Sequence, residues 1–498
     1  MTVGLARASI YAIKKEITIG EYIAPASATD FVPLRPKNDL SFKPEILTSD
    51  ELLTDIGEAK GSIGKQSVSG SHSAYLKHSG VEGQEPDLGL LYESLLGSKA
   101  IASVEFDTIV GSTTTLINVD TGEGVNFQAG QALLIKDVTN GYSIRNISLV
   151  TGDALTLNFK LDFAPATGIN LGKSILYAPV SNGHPTFSVT KYLGNGFAVE
   201  SASGNTVTDI TIKADANKFG EVDVSFEGTG YLYNPIIITA TSKYIDFTDD
   251  QGVQVAIVPT MTYANPIQLA SAIKLALEGA SIETFNVVYD NVLGKFTISS
   301  GSTVFSLLFS SGTNVANSIN TKIGFAVADL TAAITYTSAT EQVYIAPYTP
   351  VYDTADSIVI KGAELFVGTV SDNLCFDAQS VSIKISKKVE DVDSICESNG
   401  ILEKIPTSRT CEMSVKTVLK KHDAALLEAL LQNSGVSAML NAGPKSIGNW
   451  IAGSCFNAYM QNCTVSDFKT GGESFISVEL LLKGFVTSTG KDIYLGFV

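Results

Sequence analysis

Asn205-Thr206-Val207-Thr208-Asp209 leads through a polar stretch into Val222-Asp223-Val224-Ser225-Phe226-Glu227-Gly228. The same order returns near the end of the chain. Cys463-Thr464-Val465-Ser466-Asp467 leads through another polar stretch into Ser477-Val478-Glu479-Leu480-Leu481-Leu482-Lys483-Gly484. Each copy reads as a β-hairpin, a strand, a polar turn and an alternating strand ending in Gly. A hairpin that recurs in one chain asks whether its surroundings recur as well.

They do. In the first half, Ala8 to Lys15 alternates like a strand, and residues 20–64 form a long segment rich in Pro, Asp and Gly. A second alternating strand runs from Lys65 to Lys77. Pro86-Asp87-Leu88 then opens a short helix with Leu90, Leu91, Leu95 and Leu96 on one side and Gly97 as its stop. In the second half, Ser380 to Lys388 is a strand ending in paired lysines, Val389 to Ser408 a long loop, and Arg409 to Lys420 a second strand. Asp423 caps a helix carrying Leu426, Leu427, Leu430 and Leu431, which Gly435 stops.

The spacing locates an insertion. Asp87 and Asp423 lie 336 positions apart, Asp209 and Asp467 only 258, so about 78 extra residues follow the first helix. The segment Ile101 to Pro179 has that length, with short strands at 114–116, 132–136, 146–150 and 154–161 divided by Gly and Asn turns. It reads as a small β-barrel or sandwich lodged in a loop. Between the copies, residues 242–342 read as a ββαβββ module, with Pro266 opening an amphipathic helix to Gly279. The expected domains are residues 1–100 with 180–236, an inserted small β domain at 101–179, an inserted ββαβββ domain at 237–345, and residues 346–498. The fold class is mainly β (α+β), two sandwich-like modules each with a flanking helix.

Composition agrees with a packed β chain. Of 498 residues 44% are hydrophobic and 17% charged, and 43 are Gly. The balance of 34 basic to 51 acidic residues, −17 in all, speaks against a protein that grips DNA by its phosphates. It suits a surface that lets DNA pass, and equally serves solubility. The five cysteines (Cys375, Cys396, Cys411, Cys455, Cys463) form no CxxC pair, which implies free thiols in a reducing cytoplasm. Arg7, Lys14, Lys15 and Glu16 interrupt any signal-peptide core, and no apolar run approaches the roughly 20 residues that span a bilayer. A soluble protein made in a cytoplasm is expected.

The chemistry of an enzyme is absent from the sequence pattern. His72, His78, His184 and His422 have no metal-binding spacing, and packed or solvated roles for His72 and His78 outweigh ligation. Gly168 to Ser174 looks like a phosphate loop one residue short, followed by a strand, and is read as a turn. Asp391, Asp393 and Glu397, like Asp249-Asp250, lack calcium-loop spacing and are read as hydrated surface. Trp450 and Tyr459 are expected in the core. No catalytic, cofactor, metal or specific DNA-binding residue is assigned, and no cofactor is implied.

The layout resembles the tail tube (major tail) proteins of long-tailed bacteriophages, in a duplicated-module form. The likeness rests on the KKE-x-T-x-GE stretch at Lys14 to Glu21, the Pro-rich arm around Phe31 to Pro44 and the approach to the strand at Lys65. It rests also on PDLG-x-L at Pro86 to Leu91, Asp356 to Thr369, Ser380 to Lys388, P-x-SRT at Pro406 to Thr410, and the final hairpin. It covers roughly 1–100, 180–236 and 346–498. The resemblance implies β-sandwiches whose inner sheets join those of neighbours into a barrel around a channel. Rings, of three chains or of six, stack helically in the virion tail. The implied partners are the chain itself, a tape measure protein and other tail proteins, and genomic DNA that passes without sequence-specific binding; no membrane is implied. The inserts would decorate the outside. The long segments 20–64 and 389–408 would make ring-to-ring contact, or stay disordered until assembly. An acidic channel wall is expected, lined from alternate positions of 65–77 and 409–420. A baseplate or tail-end ring protein on the same module, or a β-rich adhesin binding glycans, are the alternatives.

Overall fold

The structure, a computed structural model, describes residues 9–33, 35–36, 38–48, 61–194, 196–342, 344–370, 373–418, 435–471, 476–488 and 490–498. The chain is mainly β, with two α-helices among the described residues. It divides into two compact units: Met1–Ala12 with Ser188–Ala202 and Gly230–Thr349, and Ile13–Phe187 with Ser203–Thr229 and Pro350–Val498.

The larger unit is organised by eight strands. They are β1 (Asp39–Leu47), β2 (Ser62–Tyr75), β3 (Ala198–Asp215), β4 (Glu221–Gly228), β5 (Ala378–Asp393), β6 (Ile401–Val418), β7 (Phe456–Gly471) and β8 (Ser477–Gly484). Antiparallel pairing joins them in the order β1-β2-β4-β3-β5-β6-β8-β7. The order contains its own repeat, since β1-β2-β4-β3 is followed by β5-β6-β8-β7. Register repeats as well. Phe42 lies opposite Val68 and Leu40 opposite Gly70, as Ile385 lies opposite Cys411 and Ile383 opposite Met413. Gly70 then faces Phe226, as Met413 faces Leu482. The ladder slips at Thr208, between Val207 and Asp209, and at Ser466, between Val465 and Asp467. The recurring Thr-Val-Thr/Ser-Asp stretch is therefore the sequence of a β-bulge.

One face of this sheet is core. Val222, Val224 and Phe226 of β4, Ile210 and Ile212 of β3, and Ile383 and Ile385 of β5 are buried, with Met413 and Val415 of β6 and Leu480 and Leu482 of β8. Alternation does this, because the intervening residues, Asp, Glu, Lys, Ser or Thr except for Leu481 of β8, turn to the other face. The first half of β7 leaves the sheet and pairs with Val436–Ala442 and Tyr494–Phe497, so one long strand serves two layers. α1 (Gly89–Leu96) buries Leu91, Tyr92, Leu95 and Leu96 and stops at Gly97, whose φ of 97° suits glycine.

Two expectations change. Segments 20–64 and 389–408 are not simple loops: β1 lies in the first, and the ends of β5 and β6 occupy most of the second. Pro44 and Pro406 each sit where the ladder slips, a place that needs no regular N–H. The counterpart of β5 is β1, not the strand at Ile10–Lys15, because β1 holds the equivalent place and register beside β2. The helix expected after Asp423 lies outside the described residues.

The segment expected as a small β domain enters and leaves through a paired stalk, Gly97–Ala102 against Ser174–Pro179. Between them a six-stranded arrangement encloses Ile117, Val119, Leu133, Ile135, Ile147, Leu155 and Leu157. Its opposite face is not free. Leu134 and Ile144 pack with Trp450, Cys455 and Val498, and Asn146 hydrogen-bonds Asn457, which donates to Asn441. This segment belongs to the larger compact unit.

The smaller unit contains the other inserted segment. Tyr244–Asp249 pairs with Gly252–Ile257 and Phe305–Leu307; Phe285–Asp290 pairs with Lys295–Ser300. α2 (Pro266–Ala280) has Asn265 as N-cap, its side chain accepting from Gln268 N, and Pro at its start. Leu269, Ala270, Ile273 and Leu277 form its buried stripe.

Candidate assembly surface

The eight-stranded sheet leaves two edges. Among the described residues β1 pairs with β2, and residues 464–471 of β7 pair with β8, β7's partner on the other side ending at Val436 opposite Cys463. An edge of unpaired N–H and C=O groups is a template for another strand. What such an edge accepts is displayed inside the chain, where β3 pairs with β5. There Asp209 lies opposite Ser386 and accepts its hydroxyl hydrogen bond, and Thr211 lies opposite Lys384. By register, Asp467 and Lys469 of β7 correspond to Asp209 and Thr211, and Lys43 and Ser41 of β1 to Ser386 and Lys384.

The polar face carries both signs. Lys213 pairs with Asp223 (2.6 Å), Lys416 with Glu479 (3.3 Å) and Lys469 with Asp467 (2.8 Å). Asp215, Glu221 and Glu412 share this face with Lys384, Lys388 and Lys483, and serines 67, 69, 71 and 73 of β2 separate them. Asp39, Asp209 and Glu227 add to the acids of this face and Lys43 to its bases, so charges of both signs are interleaved along it.

Beyond the sheet, the β5–β6 hairpin is tied down by ions. Lys404, 3% exposed at its side chain, bridges Asp391 (2.6 Å) and Glu227 (3.1 Å). Lys65 reaches Asp391 (2.7 Å) and Asp393 (2.8 Å), and Asn399 donates to the Thr229 carbonyl. Burial alone would raise the Asp391 pKa, but hydrogen bonds from Lys404 and Lys65 hold it below the usual carboxylate value. Hydrogen bonds to the same acids raise that of Lys65. Asp391, read from sequence as hydrated surface, is engaged by two lysines, whereas Asp393 pairs with Lys65 and keeps its side chain 73% exposed. Among the described residues no group of His, Cys, Asp and Glu could hold a metal ion.

Most of the other singled-out residues that the structure describes have structural roles, and His422 lies outside the described residues. His72 is buried and its pKa pushed down to about 4 by burial; His78, held by Ser79 Oγ at 3.0 Å, is also lowered to about 4 by burial. Gly168 is a turn residue with φ 82°, and a strand begins at Ser174. Trp450 is buried beneath Lys445, and Tyr459 stacks on Tyr494 with ring centres 5.9 Å apart. Asp249 accepts from Gln251 N and Ser281 Oγ. Cys396 is exposed and free; Cys411, Cys455 and Cys463 are buried and free, with burial raising their pKa values and keeping the thiols protonated. What sequence reading missed is the edge strand β1, for which a weak alternation, Leu40 and Phe42 between Asp39, Ser41 and Lys43, was the available signal.

No family model and no curated protein matches this chain. Among solved structures, a chain from the virion of a native gene transfer agent particle is similar to part of it. The identity is 13%, over 27% of this chain and 95% of that one, with a TM-score of 0.18.

Proposed function

We propose that this chain is the structural subunit of a long-tailed phage's tail tube, three copies closing a ring, rings stacking, and DNA passing through the channel. One observation supports this above the others. A junction between two equivalent four-stranded units is already made within the chain, and among the described residues the outermost strands, β1 and residues 464–471 of β7, each pair with one strand and carry the two halves of the same junction. Joining β7 of one copy to β1 of the next, in the register of β3 on β5, places Asp467 opposite Lys43. The pair is complementary in charge on one face of one ladder.

Geometry fits a channel. Strands lie about 4.8 Å apart, so twenty-four of them span about 115 Å around and about 37 Å across, before strand tilt widens the ring. A single chain's eight strands would close only on a filled interior. An interleaved, hydroxyl-rich wall offers a passing phosphate backbone no continuous basic track, which serves sliding without retention. Closure also removes the exposed edges, and stacking contacts that do not close would extend rings into a tube. In this reading the chain works by assembly with itself, a tape measure protein and other tail proteins, and catalyses nothing.

Negative-stain imaging of the purified protein tests this. Rings or tubes with an open centre are expected; a species that stays monomeric at high concentration and is absent from any virion tube overturns the proposal.

A further inference from the structure

Lys387 is buried, 4% exposed, in the core-facing row of β5. Its Nζ donates to the Ser94 carbonyl (2.7 Å) and to Thr206 Oγ1 (2.8 Å), and among the described residues no carboxylate lies within ion-pair distance of it. Directly opposite, across the β5–β6 ladder, stands Arg409. Like charges placed opposite each other in a ladder repel, and two of them half-withdrawn from water do so more strongly. One acid offsets the pair: Asp492 accepts from Arg409 Nε (3.0 Å) and Nη2 (2.8 Å). Both cations border a cavity of about 370 Å³ that also exposes His184, Lys491 and the hydroxyls of Ser181, Thr407 and Ser408. In a chain of net charge −17 this is a local excess of positive charge beside a solvent-open cavity.

We propose that this cavity binds a small tetrahedral oxyanion of the sulfate or phosphate class. The anion would sit between Lys387 and Arg409, with rim hydroxyls and Lys491 as further donors. Such an ion supplies what the fold omits, a second negative charge for two facing cations, and it accepts the hydrogen bonds that Asp492 leaves unused on the guanidinium. The assignment is independent of ring assembly.

The protonation of Lys387 gives the site a sign. Burial first, and then the charge of Arg409, push its pKa down to about 7. The cavity's other titratable or charged groups are His184, lowered by burial and by Lys387, together with Arg409, Lys491 and Asp492. A bound anion favours the ammonium, so affinity is greatest below pH 7 and falls as pH rises through it. Sulfate stays a dianion over this range and isolates the effect.

The experiment is calorimetric titration of sulfate into the 498-residue protein, ionic strength matched with sodium chloride, at pH 6 and pH 9. Saturable one-site binding is expected at pH 6, at least tenfold weaker at pH 9. Lys387→Met should weaken it at least tenfold, and Asp492→Asn, which frees Arg409, should tighten it. Should Lys387→Met fail to fold, the exposed rim variant Lys491→Ala serves, with about threefold weaker binding expected. No saturable heat above the chloride control, or affinity unchanged by both pH and Lys491→Ala, overturns the site and shows Lys387 to be a neutral structural amine.

Discussion

Gly70 and Met413 hold corresponding places in the two halves of the sheet, and what faces them is complementary in size. Phe226 fills the space over Gly70, where a Cβ would collide with its ring, whereas Leu482 leaves room for Met413. Gly70→Met should therefore cost about 3 kcal/mol by overpacking. Gly70→Met with Phe226→Leu, which copies the second half into the first, should recover most of that in denaturant unfolding; additive losses would show that the two positions do not share a site. A second residue-scale outcome concerns Asp353, whose backbone N–H and carboxylate exchange hydrogen bonds with Asp87 at 3.0 and 2.6 Å. Burial, with the neighbouring Asp87 charge, raises its pKa to about 6. A raised carboxylate pKa costs nothing below the unfolded value near 4, and the penalty grows as pH rises from about 4 to about 6 and stays constant above it. Asp353→Asn should raise the unfolding midpoint at pH 8 and leave it unchanged at pH 4; a pH-independent effect would remove titration as the cause.

At the scale of elements, legibility followed burial. β4 alternates strictly because one face is core and the other wet, and that pattern stands in the sequence; β8 shows it except at Leu481. α1 was legible from its leucines and Gly97, and α2 from Asn265-Pro266 and its apolar stripe. The hairpin ends of β1–β2 and β5–β6 were not, because in Ile46, Glu390 or Leu402 no face is buried and polarity does not alternate. Their pairing is held instead by long-range ions that local sequence does not reveal, such as Lys404 with Glu227 or Lys65 with Asp393. That dependence is testable. Lys404→Met removes a nearly buried cation and leaves Glu227 without it, at a cost of about 3 kcal/mol. Amide exchange across residues 394–405 should then rise at least tenfold while β4 and β8 stay protected. Equal protection in both proteins would mean the hairpin stands without these ions.

The whole molecule is where sequence reading needed the structure most. Order and spacing exposed a repeated hairpin, but not that the repeats lie side by side in one continuous sheet. Nor did they expose that β3 on β5 displays how a further copy would join. Net charge does not locate the members of the sheet's polar face, where Lys213, Lys384 and Lys416 stand among the acids. Joining copies by edge pairing predicts that Ser41→Cys with Lys469→Cys, opposite one another in the inferred register, yields chain-to-chain disulfides. They should close at three chains on a non-reducing gel, against a background in which exposed Cys396 is replaced by Ser.

The most direct measurement is an electron-microscopy map of the assembled protein viewed down its axis and resolved to individual strands. The account predicts a closed ring of three chains, with residues 464–471 of each paired to β1 of the next and Asp467 opposite Lys43. A map in which both edges face solvent, or in which β1 and β7 meet other partners, contradicts it.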